Sequence, residues 1–383
     1  MGFLGSLSPD AFLSEYWQKK PLLVRGAVPA FNAPLSPAAF RKLATRPEAQ
    51  VRLVLEEGGD YPWQLIEGPF EAQDLYPVPA SIWSMLIQEV DQLDGAVRGL
   101  WSHLDFLPSW RLDDIMVSLA SDQGGVGAHI DEYDVFLLQG HGQRRWLIGG
   151  EPVEEEELIP DLDVRVLANF HPEHDWTVEP GDMIYLPPRY AHHGIAVGEC
   201  MTYSLGCRAP SAADVLGGLL EEALMALPGG SRYADPDLGP TTAPASLSPD
   251  VASWARGLIE NVAREVERPL GRLLTEPRRY DETGQDETPR EATCSLDNLM
   301  ADLASGSRLA TPGRYQSLYT IRGRLLIWFL RGEELELDAA LEPMVAAISS
   351  IPGAAASDIP DSVEIRRLLA DLVSEGALVL LKK

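Results

Sequence analysis

The segment GAHIDEYDVFLLQGHGQRRW, residues 127–146, places a histidine and an aspartate two positions apart, then an apolar run that ends in two arginines and a tryptophan. Side chains alternate between the faces of a β-strand, so an extended backbone points His129 and Asp131 to the same side. A strand that carries them offers two ligands to one metal. The preceding stretch GGVGA, residues 124–128, brings the pair to the strand from a flexible glycine loop, which sets it at a pocket rim.

A third ligand has to come from a distant strand, and YLPPRYAHHGIAV, residues 185–197, supplies His192 or His193 after a PGD turn and a double proline. Neighbouring strand residues face opposite ways, so one of the two joins the site. All seven histidines fall between His103 and His193. His103 and Asp105 repeat the spacing but run into a proline break, which reads as a structural pair; His174 and Asp175 are adjacent. Two neutral imidazoles and a carboxylate on one face of an octahedron leave three neighbouring positions open, the arrangement of non-haem Fe(II) oxygenases. Two of those positions suit a 2-oxo acid and the third O2. The distal carboxylate of 2-oxoglutarate then calls for a planar cation deep in the pocket, which Arg144 or Arg145 provides. The other arginine of the doublet is expected on the surface in a salt bridge.

The chain has 383 residues, 45% of them hydrophobic, enough for two or three globular domains. Cys200, Cys207 and Cys294 are too widely spaced for a zinc ribbon or a disulfide framework, which fits a reducing cytoplasm. The N-terminal stretch lacks the basic start and apolar core of a signal peptide, and no apolar run reaches membrane-spanning length. The expectation is a cytoplasmic protein without a membrane partner. A formal charge of -27 disfavours nonspecific contact with nucleic-acid phosphates and favours a basic partner; solubility in a salty medium is the alternative explanation.

The first hundred residues mix signals: SPDAFLSEYW is a helix with Ser8 as its cap, and PLLVRG a short strand. From residue 114 to 209, short apolar stretches alternate with glycine and proline, the pattern of a closed or double-sheet β architecture, interrupted by the acidic insertion EPVEEEELIPDLD. ADVLGGLLEEALMAL and VASWARGLIENVAREVERPLGRLL then carry apolar residues at helical spacing. A polar, turn-rich linker is expected over residues 276–294. The last segment runs helix, strand, helix, then a helix passing through a glycine turn into a strand, an order that resembles a winged helix. From Ser295 onward, 12 acidic and 9 basic residues leave a net charge of -3, poor for a DNA-reading wing.

Taken together, YWQKKPLLVRGA, LPSWRLDD, GGVGAHIDEYDVFLLQGHGQRRW, EPGDMIYLPPRYAHHG, TYSLGCRAP and SRYADPDLGP make the chain resemble the JmjC branch of the cupin superfamily, and within it the bacterial ribosomal oxygenases that hydroxylate an arginine of a large-subunit ribosomal protein. The resemblance implies an α+β chain: a double-stranded β-helix (cupin jelly-roll) catalytic domain over 1–208, a helical dimerisation domain with its linker over 209–294, and a winged helix over 295–383. It implies His129, Asp131 and His192 as the Fe(II) ligands, Arg144 as the clamp for 2-oxoglutarate, O2 as second co-substrate, a basic ribosomal protein as substrate, and a homodimer. His193 stands where the family pattern has an acidic residue, and Thr202 where it has an amide near the co-substrate. Asp122, just before the glycine loop, is a candidate partner for a cationic substrate and equally a turn-capping residue. Two other readings are a demethylase of methylated lysine or arginine using the same iron chemistry, and a non-catalytic cupin fused to a DNA-binding winged helix.

Overall fold

The structure, a computed structural model, describes residues 2–71, 82–276, 294–312 and 317–381. The linker expected over 276–294 lies almost wholly outside them. The chain divides into two units, Met1–Ala209 and Pro210–Lys383.

The first unit is built on a nine-stranded antiparallel sheet. Its strands are β1 (Leu22–Val24), β2 (Val51–Leu55), β3 (Gln64–Glu67), β4 (Trp83–Ile87), β5 (Leu112–Ala120), β6 (Asp134–Pro152), β7 (His174–Val178), β8 (Met183–Leu186) and β9 (Tyr190–Cys207). The order is β1-β8-β6-β9-β5-β4-β2-β3, and β7 pairs with β6 off that path. The long strands β6 and β9 pair along almost their whole length. Their register shifts between Gln139 and His141 and again between His141 and Gln143. Gly142, at φ +60°, sits at this irregularity, and a Cβ there would come within 2.2 Å of the Glu199 carbonyl oxygen, so only glycine fits.

The irregularity changes which residues of β6 face inward. Before it, Val135 and Leu137 join Ile184 and Leu186 in the inner apolar cluster; after it, Trp146 and Ile148 join the same cluster with Val178. The inner set has switched from odd to even numbers. The opposite face at the start of β6 meets the N-terminal segment. Ser8 caps the helix Pro9–Glu15 by accepting from the Ala11 amide at 3.1 Å. Phe12 of that helix is fully buried against Phe136 and Tyr185, with ring centroids 5.7 and 4.9 Å away. Asp134, fully buried, accepts from the Tyr185 hydroxyl at 2.6 Å, the Gln18 side chain at 3.0 Å and Arg111 at 2.8 Å.

In the second unit, a capping box of Ser211 and Asp214 starts the helix Ala212–Ala226, and the helices Pro249–Arg264 and Glu267–Thr275 follow. The C-terminal part contains the helix Leu296–Ala304, β10 (Arg308–Ala310), a three-stranded meander β11 (Ser317–Arg322), β12 (Leu325–Leu330) and β13 (Glu333–Asp338), the helices Glu342–Ile348 and Val363–Ser374, and β14 (Val379–Leu381) paired with β10. Trp328, Leu299, Val345, Ile348 and Leu369 form its fully buried core. Arg268 ties the helix Glu267–Thr275 to β13 through Glu334 and Glu336, at 2.7 and 2.5 Å. No helix among the described residues is long and apolar enough to cross a membrane.

Because Phe12 fills the joint between the N-terminal helix and β6, Phe12→Ala is expected to cost about 3–5 kcal/mol of stability. Chemical denaturation of the two proteins measures the difference; a loss below about 1 kcal/mol would mean that the helix is not anchored there.

Candidate metal and co-substrate site

His129 and Asp131 do not lie within the strand that the spacing implied. They sit in the segment leading to β6, which begins only at Asp134, and a single antiparallel bridge to His192 holds them. The His129 amide donates to the His192 carbonyl at 3.0 Å and the His192 amide to the His129 carbonyl at 2.9 Å. This reciprocal pair sets the two side chains beside each other, with ring centroids 4.3 Å apart. Asp131 follows two residues later, its carbonyl held by the Arg189 amide at 2.7 Å. One ligand atom each from His129, Asp131 and His192 lies within 4.8 Å of the others.

The hydrogen bonds around the imidazoles select the ligating form. His129 Nδ1 is 3.0 Å from the Gly127 carbonyl oxygen and His192 Nδ1 is 2.9 Å from that of Tyr190. A carbonyl accepts only, so Nδ1 is the nitrogen of each ring that carries the proton in this contact, and Nε2 is the one left to ligate. His192 Nε2 is 3.6 Å from the Asp131 carboxylate. Burial first, then the neighbouring His129, pushes His192 down to about 4, so it is neutral at physiological pH. The Tyr133 hydroxyl hydrogen-bonds Asp131, and burial followed by the Asp131 charge pushes that phenol well up. Two imidazoles and one carboxylate fit a divalent transition metal, and the donor set leaves coordination positions for other ligands.

The alternation along β9 separates the two histidines. His192 is buried on the inner face with Gly194 and Ala196, whereas His193 is only partly buried on the outer one. His193 is also held neutral, near 4, by burial and then by His129 and Arg144.

The arginine doublet divides the same way. Arg144 is buried and donates to the Ser118 hydroxyl of β5 at 3.2 Å. Its Cζ lies 5.6 Å from the centre of the Trp146 ring. Arg145 points outward and makes a two-pronged pair with Asp175 at 2.8 and 2.6 Å. A guanidinium buried without a carboxylate partner among the described residues, one strand from the triad, suits the carboxylate of a ligand.

Thr202 is buried, and its hydroxyl donates to Gln139 Oε1 at 2.9 Å. Gln139 in turn donates to the carbonyls of His141 and Gly142, so the pair braces the irregularity that turns Arg144 inward. Asp122 accepts from the Gly198 amide at 2.8 Å, the turn-capping use of that residue. His103 lies in a short 3-10 helix and stacks on Phe3 with centroids 4.8 Å apart, and belongs to no cluster of metal-ligating side chains among the described residues. Sequence reasoning missed Ser118 and Gln139, which meet Arg144 and Thr202 across strands, and Tyr133 and Trp146, which stand two residues from Asp131 and Arg144 with no motif to mark them.

An antiparallel jelly-roll sheet with two histidines and a carboxylate at its mouth and a buried arginine inside is the architecture of a JmjC-type oxygenase, and the JmjC domain family matches residues 99–215. The ROXA-like winged helix family matches residues 257–379. The chain is 32% identical over 374 residues to the ribosomal protein uL16 3-hydroxylase of Escherichia coli (strain K12), covering 96% of each. It is 36% identical over 233 residues to a probable ribosomal oxygenase of Haemophilus influenzae, covering 61% of this chain and 55% of that one. The structure of YcfD, a ribosomal oxygenase from Escherichia coli, in complex with cobalt and 2-oxoglutarate superposes with a TM-score of 0.81 at 30% identity and 98% coverage of both chains. The chain belongs to the bacterial ribosomal oxygenase family.

If the inner face of β9 defines the third ligand, His192→Ala is expected to weaken Mn(II) binding at least about tenfold, while His193→Ala leaves it nearly unchanged. Calorimetric titration of the metal-free variants compares the two, and the reverse ranking would move the third ligand by one residue.

Proposed function

We propose that this chain is an Fe(II)- and 2-oxoglutarate-dependent hydroxylase that adds one oxygen atom to an arginine side chain of a large-subunit ribosomal protein in the cytoplasm. His129, Asp131 and His192 hold the iron, and Arg144 holds the distal carboxylate of 2-oxoglutarate. The convergence of these three ligands within 4.8 Å beside a buried arginine carries the reading. The iron, when bound, supplies O2 activation coupled to decarboxylation of the 2-oxo acid, so that one oxygen atom enters succinate and the other the substrate. The protein's residues keep the imidazoles in their ligating tautomer, fix the co-substrate by its far end and exclude water from the inner apolar cluster.

A ribosomal protein is supported as substrate by the relative that hydroxylates uL16 and by charge: a protein of formal charge -27 attracts a basic polypeptide. Asp122, exposed at the edge of the glycine loop, is a carboxylate within the reading for a guanidinium substrate. Direct nucleic-acid binding by the winged helix is not part of the reading, given its net acidity. We propose further that the chain forms a homodimer through its helical segment. On the helix Ala212–Ala226, Leu216, Leu224 and Met225 are 60%, 68% and 84% exposed, and Trp254 and Ile259 of the next helix are also exposed, an apolar surface that a second copy would cover.

Incubation of the iron-loaded protein with 2-oxoglutarate and purified large-subunit ribosomal proteins, uL16 first, is expected to raise the mass of one of them by a single oxygen on one arginine, with matching succinate. An unchanged mass on every ribosomal protein would overturn the substrate. Formaldehyde release from a methylated peptide would point to demethylation instead.

A further inference from the structure

Trp146 lies on the inner face of β6, two residues beyond Arg144 and thus about 7 Å further along the strand. Its ring centroid is 5.8 Å from that of His192, and the Arg144 guanidinium carbon is 5.6 Å from the ring centre. The indole therefore neighbours both the metal triad and the arginine assigned to the co-substrate. It is 5% exposed, and its Nε1 has no hydrogen-bond partner among the described residues; the same holds for Arg144 Nε. An indole N–H is a donor only, and a buried one normally finds an acceptor. Other buried tryptophans of this chain follow that rule: Trp328 Nε1 donates to the Ser317 hydroxyl at 2.8 Å and Trp101 Nε1 to Asp91 at 3.1 Å.

The placement of the ring is specific. A Cβ at Gly194, the partner of Trp146 across the ladder, would come within 2.7 Å of Cζ3 and Cη2 of the indole. The benzo part of the indole thus packs against bare backbone at Gly194, a place that only glycine leaves open. Two buried donors left without partners on neighbouring inward side chains match the acceptor oxygens of a dicarboxylate.

We infer that Trp146 is a positioning residue for the 2-oxo acid, its indole N–H donating to a carboxylate oxygen of the 2-oxoglutarate that Arg144 holds. The inference rests on the co-substrate reading above. The competing account is that Trp146 only packs against Val135, Leu137 and Ile184 in the inner cluster, a role that phenylalanine fills nearly as well.

Trp146→Phe keeps an aromatic ring and removes the donor. Calorimetric titration of 2-oxoglutarate into Mn(II)-loaded protein is expected to show about tenfold weaker binding by the variant, the size of one hydrogen bond to a charged acceptor. Its Mn(II) affinity is expected to stay within about twofold, because no ligand atom has changed. In wild-type protein labelled with 15N-tryptophan, the indole signal that the variant lacks is expected to shift on addition of 2-oxoglutarate. Equal 2-oxoglutarate affinity in the two proteins, or an indole signal that does not move in the wild type, would overturn the inference and leave the co-substrate reading intact. Wild-type protein that binds no 2-oxoglutarate would overturn that reading and the inference with it.

Discussion

Two backbone hydrogen bonds between His129 and His192 hold the site together. They join a loop to one end of a long strand through an isolated bridge, so the backbone alone brings the two imidazoles together. The loop is secured from its other neighbours too. The Leu167 amide donates to the Ala128 carbonyl at 2.8 Å and the Arg189 amide to that of Asp131 at 2.7 Å. Ligands fixed by backbone lose little freedom on binding, and Nδ1 protons committed to carbonyls leave one nitrogen of each ring to donate.

The second constraint is the start of β6. Asp134 is fully buried, and burial pushes its carboxyl up while the hydrogen bonds from Tyr185 and Gln18 and the charge of Arg111 pull it down. A buried carboxylate with three donors is costly to disturb, since losing one donor leaves a charge without its solvent or its partner. The network fixes the strand three residues after Asp131 and five before Gln139, so the ligand loop and the irregularity that aims Arg144 are both measured from one anchor. Thr202 belongs to this logic through Gln139, as a brace for the strand's change of face.

The amino-acid pattern revealed the chemistry more readily than the geometry. The two-residue spacing of His129 and Asp131 placed them on one side, and their side chains do converge although they occupy a loop, because an extended segment alternates whether or not it is paired. The choice between His192 and His193 required knowing which face of β9 looks inward. The arginine doublet was harder: simple alternation from Asp131 selects Arg145, and only the register shifts around Gly142 put Arg144 inside. Ser118 gave no local signal because its partner Arg144 lies on another strand, and Gln139 and Trp146 gave none because no motif marks their contacts with His141, Gly142 and Arg144. In the C-terminal segment the helices and the strands β12 and β14 were legible because periodicity of 3.6 or 2 is a local property, whereas β10, β11 and β13 were not read as strands.

The central claim is that one metal and one 2-oxo acid share the space between the His129–His192 bridge and Arg144. A crystal structure of the protein with Mn(II) and 2-oxoglutarate, with the metal placed by its anomalous signal, tests it most directly. The account predicts a metal bonded to Nε2 of His129, Nε2 of His192 and the Asp131 carboxylate, with the distal carboxylate of 2-oxoglutarate paired to Arg144. A metal bound elsewhere, or a 2-oxoglutarate whose distal carboxylate meets Arg145 or solvent, would contradict it.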